Sequence, residues 1–323
     1  MSTITRCQVC RGMLDEEDLF CANCGTEAPE RGDVHALHSR GATHNFQCSG
    51  CGASMSYSAK DQALACPFCG SVQLEEQKDA KVLAPEFVIP MTVSQHDAIA
   101  AMRKWLGQGM WRPGDLSENA MLVTTRPVYV PYWVFEAETH TYWTADTNRT
   151  PAFARGDWCP MAGEHRGQHK GLLVGASGAL TPAETASICP YDLSQGKPPA
   201  EVDLQFASVE EFGLQRKYAR PLARAGIEER ERKHCDALYV PGRSRNVNVN
   251  VKIEGMSSVP VLLPVWIMAY RYKNKVYRML VNGQSGRVTG SAPTSVLKIL
   301  AAIGGGLLVV ILLTLILALI FGR

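Results

Sequence analysis

The sequence predicts an α+β protein. It has two small N-terminal zinc ribbons, a duplicated mixed α+β body with an antiparallel sheet, and one C-terminal transmembrane helix. Three observations carry this. Four C-x-x-C pairs crowd the first 69 residues. A proline phrase occurs twice, at 127–135 and at 260–268. Residues 299–321 run for 23 positions without a charge.

The first ribbon is assigned to residues 1–27. Cys7-x-x-Cys10 and Cys21-x-x-Cys24 each supply two thiolates from one tight turn, which suits a tetrahedral zinc ion. Gly12 and Gly25 follow the pairs, where a turn can need positive φ. The second ribbon, 45–75, repeats the scheme with Cys48, Cys51, Cys66 and Cys69. Two structural zinc ions are therefore expected, and no ligand position is left open for catalysis. Fragments this short bury too little apolar surface to fold without metal. The polar stretch 28–44 between them is a linker, and its histidines, His35, His38 and His44, read as solvated.

The body divides into one unit at 82–150 and a second at 172–293, joined by a glycine- and proline-rich loop at 151–171. In the first unit, Phe87–Pro90 reads as a strand. Ser94 and Asp97 form an N-terminal capping pair for a helix bearing Ala98, Ile99, Met102, Trp105 and Leu106, which Gly107 and Gly109 end. Pro127-Val-Tyr-Val-Pro131-Tyr-Trp133 follows, and two prolines four apart argue against a central strand. The phrase returns as Pro260-Val-Leu-Leu-Pro264-Val-Trp266. Ser208-x-x-Glu211 reads as a second helix start, broken or kinked at Pro221 before another helical run at about 222–234. Ile89-Pro90 through Ser94 looks like Cys189-Pro190 through Ser194. Val247, Val249, Val251 and Ile253 alternate as a half-buried strand. Residues 265–272 and 276–282 flank a Lys-Asn-Lys hairpin turn.

His165 and His169, with Asp157, Cys159 and Glu164 nearby, have ligand chemistry, but the glycines around them argue against a shared helical face. Cys159, Cys189 and Cys235 read as ordinary thiols. The chain contains no G-x-x-x-x-G-K-[ST] phosphate loop, H-E-x-x-H or G-x-S-x-G motif, so a non-enzyme is expected.

Residues 299–321 span roughly 34 Å as a helix, enough for a hydrocarbon core of about 30 Å. With only Gly322 and Arg323 after it, the expectation is a tail anchor. Arg271, Lys273, Lys275, Arg278, Arg287 and Lys298 precede it, and no acidic residue follows Glu254. Together with the metal-type cysteine pairs and the lack of an N-terminal apolar segment, this predicts a single-pass protein of the inner (plasma) membrane with its domains in the cytoplasm. The same basic cluster suits anionic lipid. Ala301/Gly305 and Ala302/Gly306 are small-x-x-x-small pairs, so a homo-oligomer through the anchor stays open. Residues 1–80 carry six Lys+Arg against 11 Asp+Glu, which argues against nucleic acid as partner.

The ribbons, the P-V-Y-V-P-Y-W phrase, L-L-P-V-W-I-M-A-Y-R-Y, V-N-G-Q-S-G-R-V-x-G and the anchor together resemble a bacterial family of tail-anchored double-zinc-ribbon proteins. Its members carry labels such as TFIIB-type zinc ribbon or primosomal helicase-like. It resembles the membrane zinc-ribbon adaptors that accompany phage-shock-protein-A-like and SPFH proteins. The resemblance implies a cytoplasm-facing adaptor that recruits such partners under envelope stress. The alternative is a membrane-tethered, nucleic-acid-binding zinc ribbon.

Overall fold

The computed structural model describes residues 5–9, 11, 13–14, 43–58, 65–76 and 83–321. Cys10, Gly12, Cys21, Cys24, Gly25, His35 and His38 lie outside them. Strands β1 (Thr5–Arg6) and β2 (Met13–Leu14) form a small hairpin around Cys7. Strands β3 (Thr43–Cys48), β4 (Ser54–Ser58) and β5 (Leu74–Glu76) make an antiparallel trio carrying the second cysteine set. The short β6 (Phe87–Val88) leads into α1 (Gln95–Gly107) and the single turn α2 (Leu116–Asn119). Two long antiparallel strands follow, β7 (Met121–Thr147) and β8 (Cys159–Gly175). After α3 (Pro182–Ile188) and β9 (Ser208–Glu210) comes the long α4 (Arg216–Tyr239). Strands β10 (Ser244–Tyr272), β11 (Lys275–Asn282) and β12 (Val288–Gly290) complete the sheet, and α5 (Val296–Phe321) leaves it.

The architecture is a mixed α/β one with a large mixed sheet. Its axis is the β7–β10 pair, antiparallel from Met121↔Arg271 to Thr147↔Ser244. At about 3.3 Å per residue this ribbon is on the order of 80 Å long. The two proline phrases face each other at its base. Pro127 is opposite Trp266, Trp133 is opposite Pro260, and the midpoints Val130 and Leu263 pair. Contacts on either side match. The Pro131 carbonyl accepts from Ala176 N at 2.9 Å, and the Pro264 carbonyl from Gly283 N at 2.8 Å. The Trp133 indole donates to the Leu214 carbonyl (2.8 Å), and the Trp266 indole to the Val93 carbonyl (2.9 Å). Each acceptor precedes a helix, α4 and α1 respectively. Parallel pairs β9–β7 and β6–β10 also correspond.

Here the structure corrects the expectation that Pro127 and Pro131 exclude a central strand. The carbonyls of Pro131 and Pro264 point away from the β7–β10 ladder. A residue's N and C=O face the same side of a strand, so the missing N–H also points outward, where the flanking strands have just ended. The prolines therefore cost the central ladder nothing. Several other readings change. Much of the expected loop 151–171 is strand, because β8 begins at Cys159 and β7 runs on to Thr147. Its glycines make room for facing side chains: a Cβ at Gly163 would lie 2.6 Å from the Trp143 ring. Ser208–Glu210 is strand, and the helix starts later, at Arg216. That helix is continuous from 216 to 239 with Pro221 in its second turn, where the missing N–H takes one i→i−4 donor from the Lys217 carbonyl. Cys189-Pro190 does not correspond to Ile89-Pro90; residues 208–214 occupy the place equivalent to 87–93.

The helices cover the sheet crosswise. Ala98, Met102 and Leu106 of α1 are fully buried against Trp266, Met268, Tyr270 and Met279 of β10 and β11. Ala219, Ala223 and Ile227 of α4 pack on Trp133, Phe135, Leu172 and Val174 of β7 and β8. Each large buried apolar side chain is worth roughly 1.5–3 kcal/mol, which is what holds helices of this length. Ser94 caps α1 as its sequence predicts, accepting from Asp97 N at 3.1 Å. The β10–β11 hairpin turns at Lys273–Asn274, both with positive φ (47° and 63°), the form that matches strand twist.

Candidate metal centre

Cys48, Cys51, Cys66 and Cys69 come together between two matching turns. Gly52 N donates to the Cys48 carbonyl and Gly70 N to the Cys66 carbonyl, each at 2.8 Å. Cys48 N reaches the Ala53 carbonyl (2.9 Å), and Cys66 N the Ser71 carbonyl (2.8 Å). Gly52 and Gly70 both sit at φ 77°, a conformation that side chains resist. The turns aim their thiols inward: Cys48 to Cys69 and Cys51 to Cys66 are both 3.5 Å, and all four sulfurs lie within 4.8 Å of one another. A zinc ion about 2.3 Å from each sulfur would set S···S edges of about 3.8 Å, so these four can close a tetrahedron. Burial pushes Cys51 up to about 11 and holds Cys66 higher still. At Cys48 burial works the same way, but the backbone N–H groups of Cys51 and Gly50 bring it down to about 7. Full ionisation of the set needs a cation in its centre.

Cys7, of the first set, is buried in a turn of the same kind. Arg11 N donates to the Cys7 carbonyl at 2.9 Å, with Arg11 at φ 56°. A non-glycine residue thus takes the positive φ in this turn, and Gly12 lies outside the described residues. Its expected co-ligands Cys10, Cys21 and Cys24 lie outside the described residues.

The second cysteine set is joined to the body. Strand β4 pairs with β9 (Met55↔Glu210, Ser56↔Val209), and Glu211 N donates to the Ser54 carbonyl at 2.9 Å. Met55, Cys66 and Phe68 are buried in one core with Val130, Tyr132 and Leu263. Glu210 pins the joint. Its Oε1 accepts from Ser177 Oγ (2.7 Å), Gly178 N (2.9 Å) and Ala179 N (3.1 Å), while burial pushes its carboxyl up to about 7.

A second polar cluster lies between α4 and the outer half of the ribbon. Buried positions of α4 recur every four residues: 219, 223, 227, 231 and 235. Glu231 is the charged member. Its Oε1 is 2.6 Å from His169 Nε2 and accepts from Thr139 Oγ1 at 3.2 Å. Its Oε2 is buried without a hydrogen-bond partner, with His165 Nε2 4.0 Å away. Tyr239 Oη lies 2.9 Å from His165 Nδ1, and the His234 ring stacks on His165. Gly167, between the histidines on β8, makes the space: a Cβ there would fall 2.4 Å from Glu231 Oε1. His165 and His169 therefore share a strand face. Glu164 points the other way, to His140 at 2.9 Å, so it does not join them. The spacing of four along 219–235 was the signal for Glu231 in the sequence. Cys189 is half-buried and Cys235 buried, and burial pushes both thiols up to about 11.

Comparison with known proteins adds one relative. The chain is 26% identical over 231 residues to YdjG, an uncharacterised protein of Bacillus subtilis (strain 168), across 69% of this chain and 68% of that one. No protein-family model matches the chain, and no solved structure does.

Proposed function

We propose that the protein is a membrane-anchored, cytoplasm-facing zinc-ribbon adaptor that recruits protein partners to the membrane. The observation that carries this is α5. From Val296 to Thr314 it is apolar enough to cross a bilayer and none of it is buried by the rest of the chain. A soluble core helix would be covered, whereas this one projects from a body that carries a metal centre. The basic residues before it favour the cytoplasmic side for that body. In this reading both cysteine sets hold zinc. The second is a structural part of the sheet, which leaves residues 1–42 as the head that binds partners. The body is an internal duplication whose helices are exchanged: α1 covers the β10–β11 half and α4 the β7–β8 half. Partners of the phage-shock-protein-A or SPFH type follow from the family resemblance, with envelope stress as the setting.

The competing reading, a tethered nucleic-acid binder, needs phosphate-neutralising charge near the ribbons. Residues 1–80 carry the opposite balance. Capture of the tagged full chain from detergent-solubilised membranes, with mass spectrometry, separates the two. The adaptor reading expects a protein partner that is lost when residues 1–42 are removed. Recovery of nucleic acid that washes off steeply with salt would favour the competitor.

A further inference from the structure

We propose that the loop joining α1 to α2 is a second membrane contact, in which Met110 and Trp111 enter the headgroup boundary of the bilayer that α5 crosses. The proposal rests on the membrane reading of α5 and adds a surface to it. Met110 is 74% exposed and Trp111 41%, large apolar side chains turned to solvent. Scattered exposed apolar residues are ordinary. What sets these two apart is their place.

Ser295 N donates to the Trp111 carbonyl at 2.6 Å. Ser295 also starts α5, accepting from Lys298 N on its side chain and from Ile299 N on its carbonyl. The loop therefore touches the residue from which the spanning helix departs. Exposed Val296 and Leu297 come next. The tether has no slack. Tyr270 Oη donates to the Ser291 carbonyl (2.9 Å), and Ala292 packs on the core beneath α1. The depth of Trp111 is thus fixed to that of the helix start.

The loop is held outward rather than loose. The Arg112 guanidinium lies 3.5 Å over the Trp105 ring and also donates to the Trp105 carbonyl, while Arg112 N donates to the Gly109 carbonyl. Lysines stand on the elements that the loop is bonded to. Lys298 is one turn into α5. Lys273 sits over the Tyr272 ring, and Tyr272 Oη donates to Asp115 of the same loop at 2.8 Å. Indole beside lysine at the first turn of a spanning helix is the chemistry of the bilayer interface, with anionic headgroups meeting the lysines. Two contacts fix the body's tilt, where one helix would leave it free to rotate.

The test places the photocrosslinker p-benzoylphenylalanine, one position at a time, in the full chain. Positions are Met110, Trp111, Leu308 in α5, and Phe153 in the exposed turn at the far end of β7–β8. Vesicles contain phosphatidylethanolamine and phosphatidylglycerol. The expected result is lipid adducts at 110, 111 and 308 and none at 153. Adducts at 308 but not at 110 or 111 would overturn the second contact and leave the anchor standing. Loss of adducts at 308 as well would remove both. Melting curves matching the parent chain show that the probes leave the fold intact.

Discussion

Replacing Glu210 by Gln should make the protein more stable at alkaline pH and hardly change it in acid. Glu210 ends β9, is 1% exposed, and has three donors on Oε1 with Oε2 unpartnered. Burial lifts its carboxyl from 4.5 to about 7, against the pull of those donors. Between these values the folded chain holds a proton that the unfolded chain has lost. The stability this proton provides is complete below about 4.5 and disappears as pH rises through about 7. A rise of that size corresponds to about 3 kcal/mol. Glutamine keeps the Oε1 acceptor and removes the charge. Urea unfolding of a chain ending at Ser295, followed by tryptophan fluorescence, should show parent and variant within about 1 kcal/mol at pH 5. At pH 8 the variant should lead by up to about 3 kcal/mol. Equal offsets at the two pH values would refute the assignment of a buried, proton-holding carboxyl. Because β9 carries β4, the parent's cysteine set should also loosen first at high pH.

Zinc analysis of the purified chain should approach two per molecule, and Cys66→Ser with Cys69→Ser should remove one; an unchanged ratio would take the metal away from this centre. Gly167→Ala forces a methyl onto Glu231 and should cost about 1–3 kcal/mol in chemical unfolding; a neutral outcome would mean the carboxylate is free to move aside. Trp133→Phe and Trp266→Phe each remove one indole hydrogen bond at matching places, so each should cost about 1–2 kcal/mol. A large cost at one and none at the other would count against equivalent halves.

What the sequence made legible was local. The two C-x-x-C-Gly turns of the second cysteine set, the Ser94 cap, the Lys-Asn turn and the apolar run of α5 each depend on residues a few positions apart, and each stands where the spacing put it. What it hid depends on partners far away in the chain. Pro127 and Pro131 suit a central strand only because their missing N–H groups point past the ends of β8 and β9, which no window around 127–131 contains. Gly163 and Gly167 look like loop residues until Trp143 and Glu231 occupy the space over them. The crosswise covering of the sheet is likewise invisible in sequence order, since α1 precedes β7 yet packs on β10 and β11. The second cysteine set read as a separate head, yet Met55 and Phe68 bury it in the body.

Partner capture from membranes tests the adaptor account most directly. Tagged full chain, a chain lacking residues 1–42 and a chain ending at Ser295 are each produced in cells, which are then fractionated before capture and mass spectrometry. The account predicts one protein partner held in the membrane fraction by the full chain. The chain ending at Ser295 should hold the same partner in the soluble fraction, and the chain lacking residues 1–42 should not hold it in either. A partner captured equally without residues 1–42, or a full chain that washes from membranes in alkaline carbonate, would contradict it.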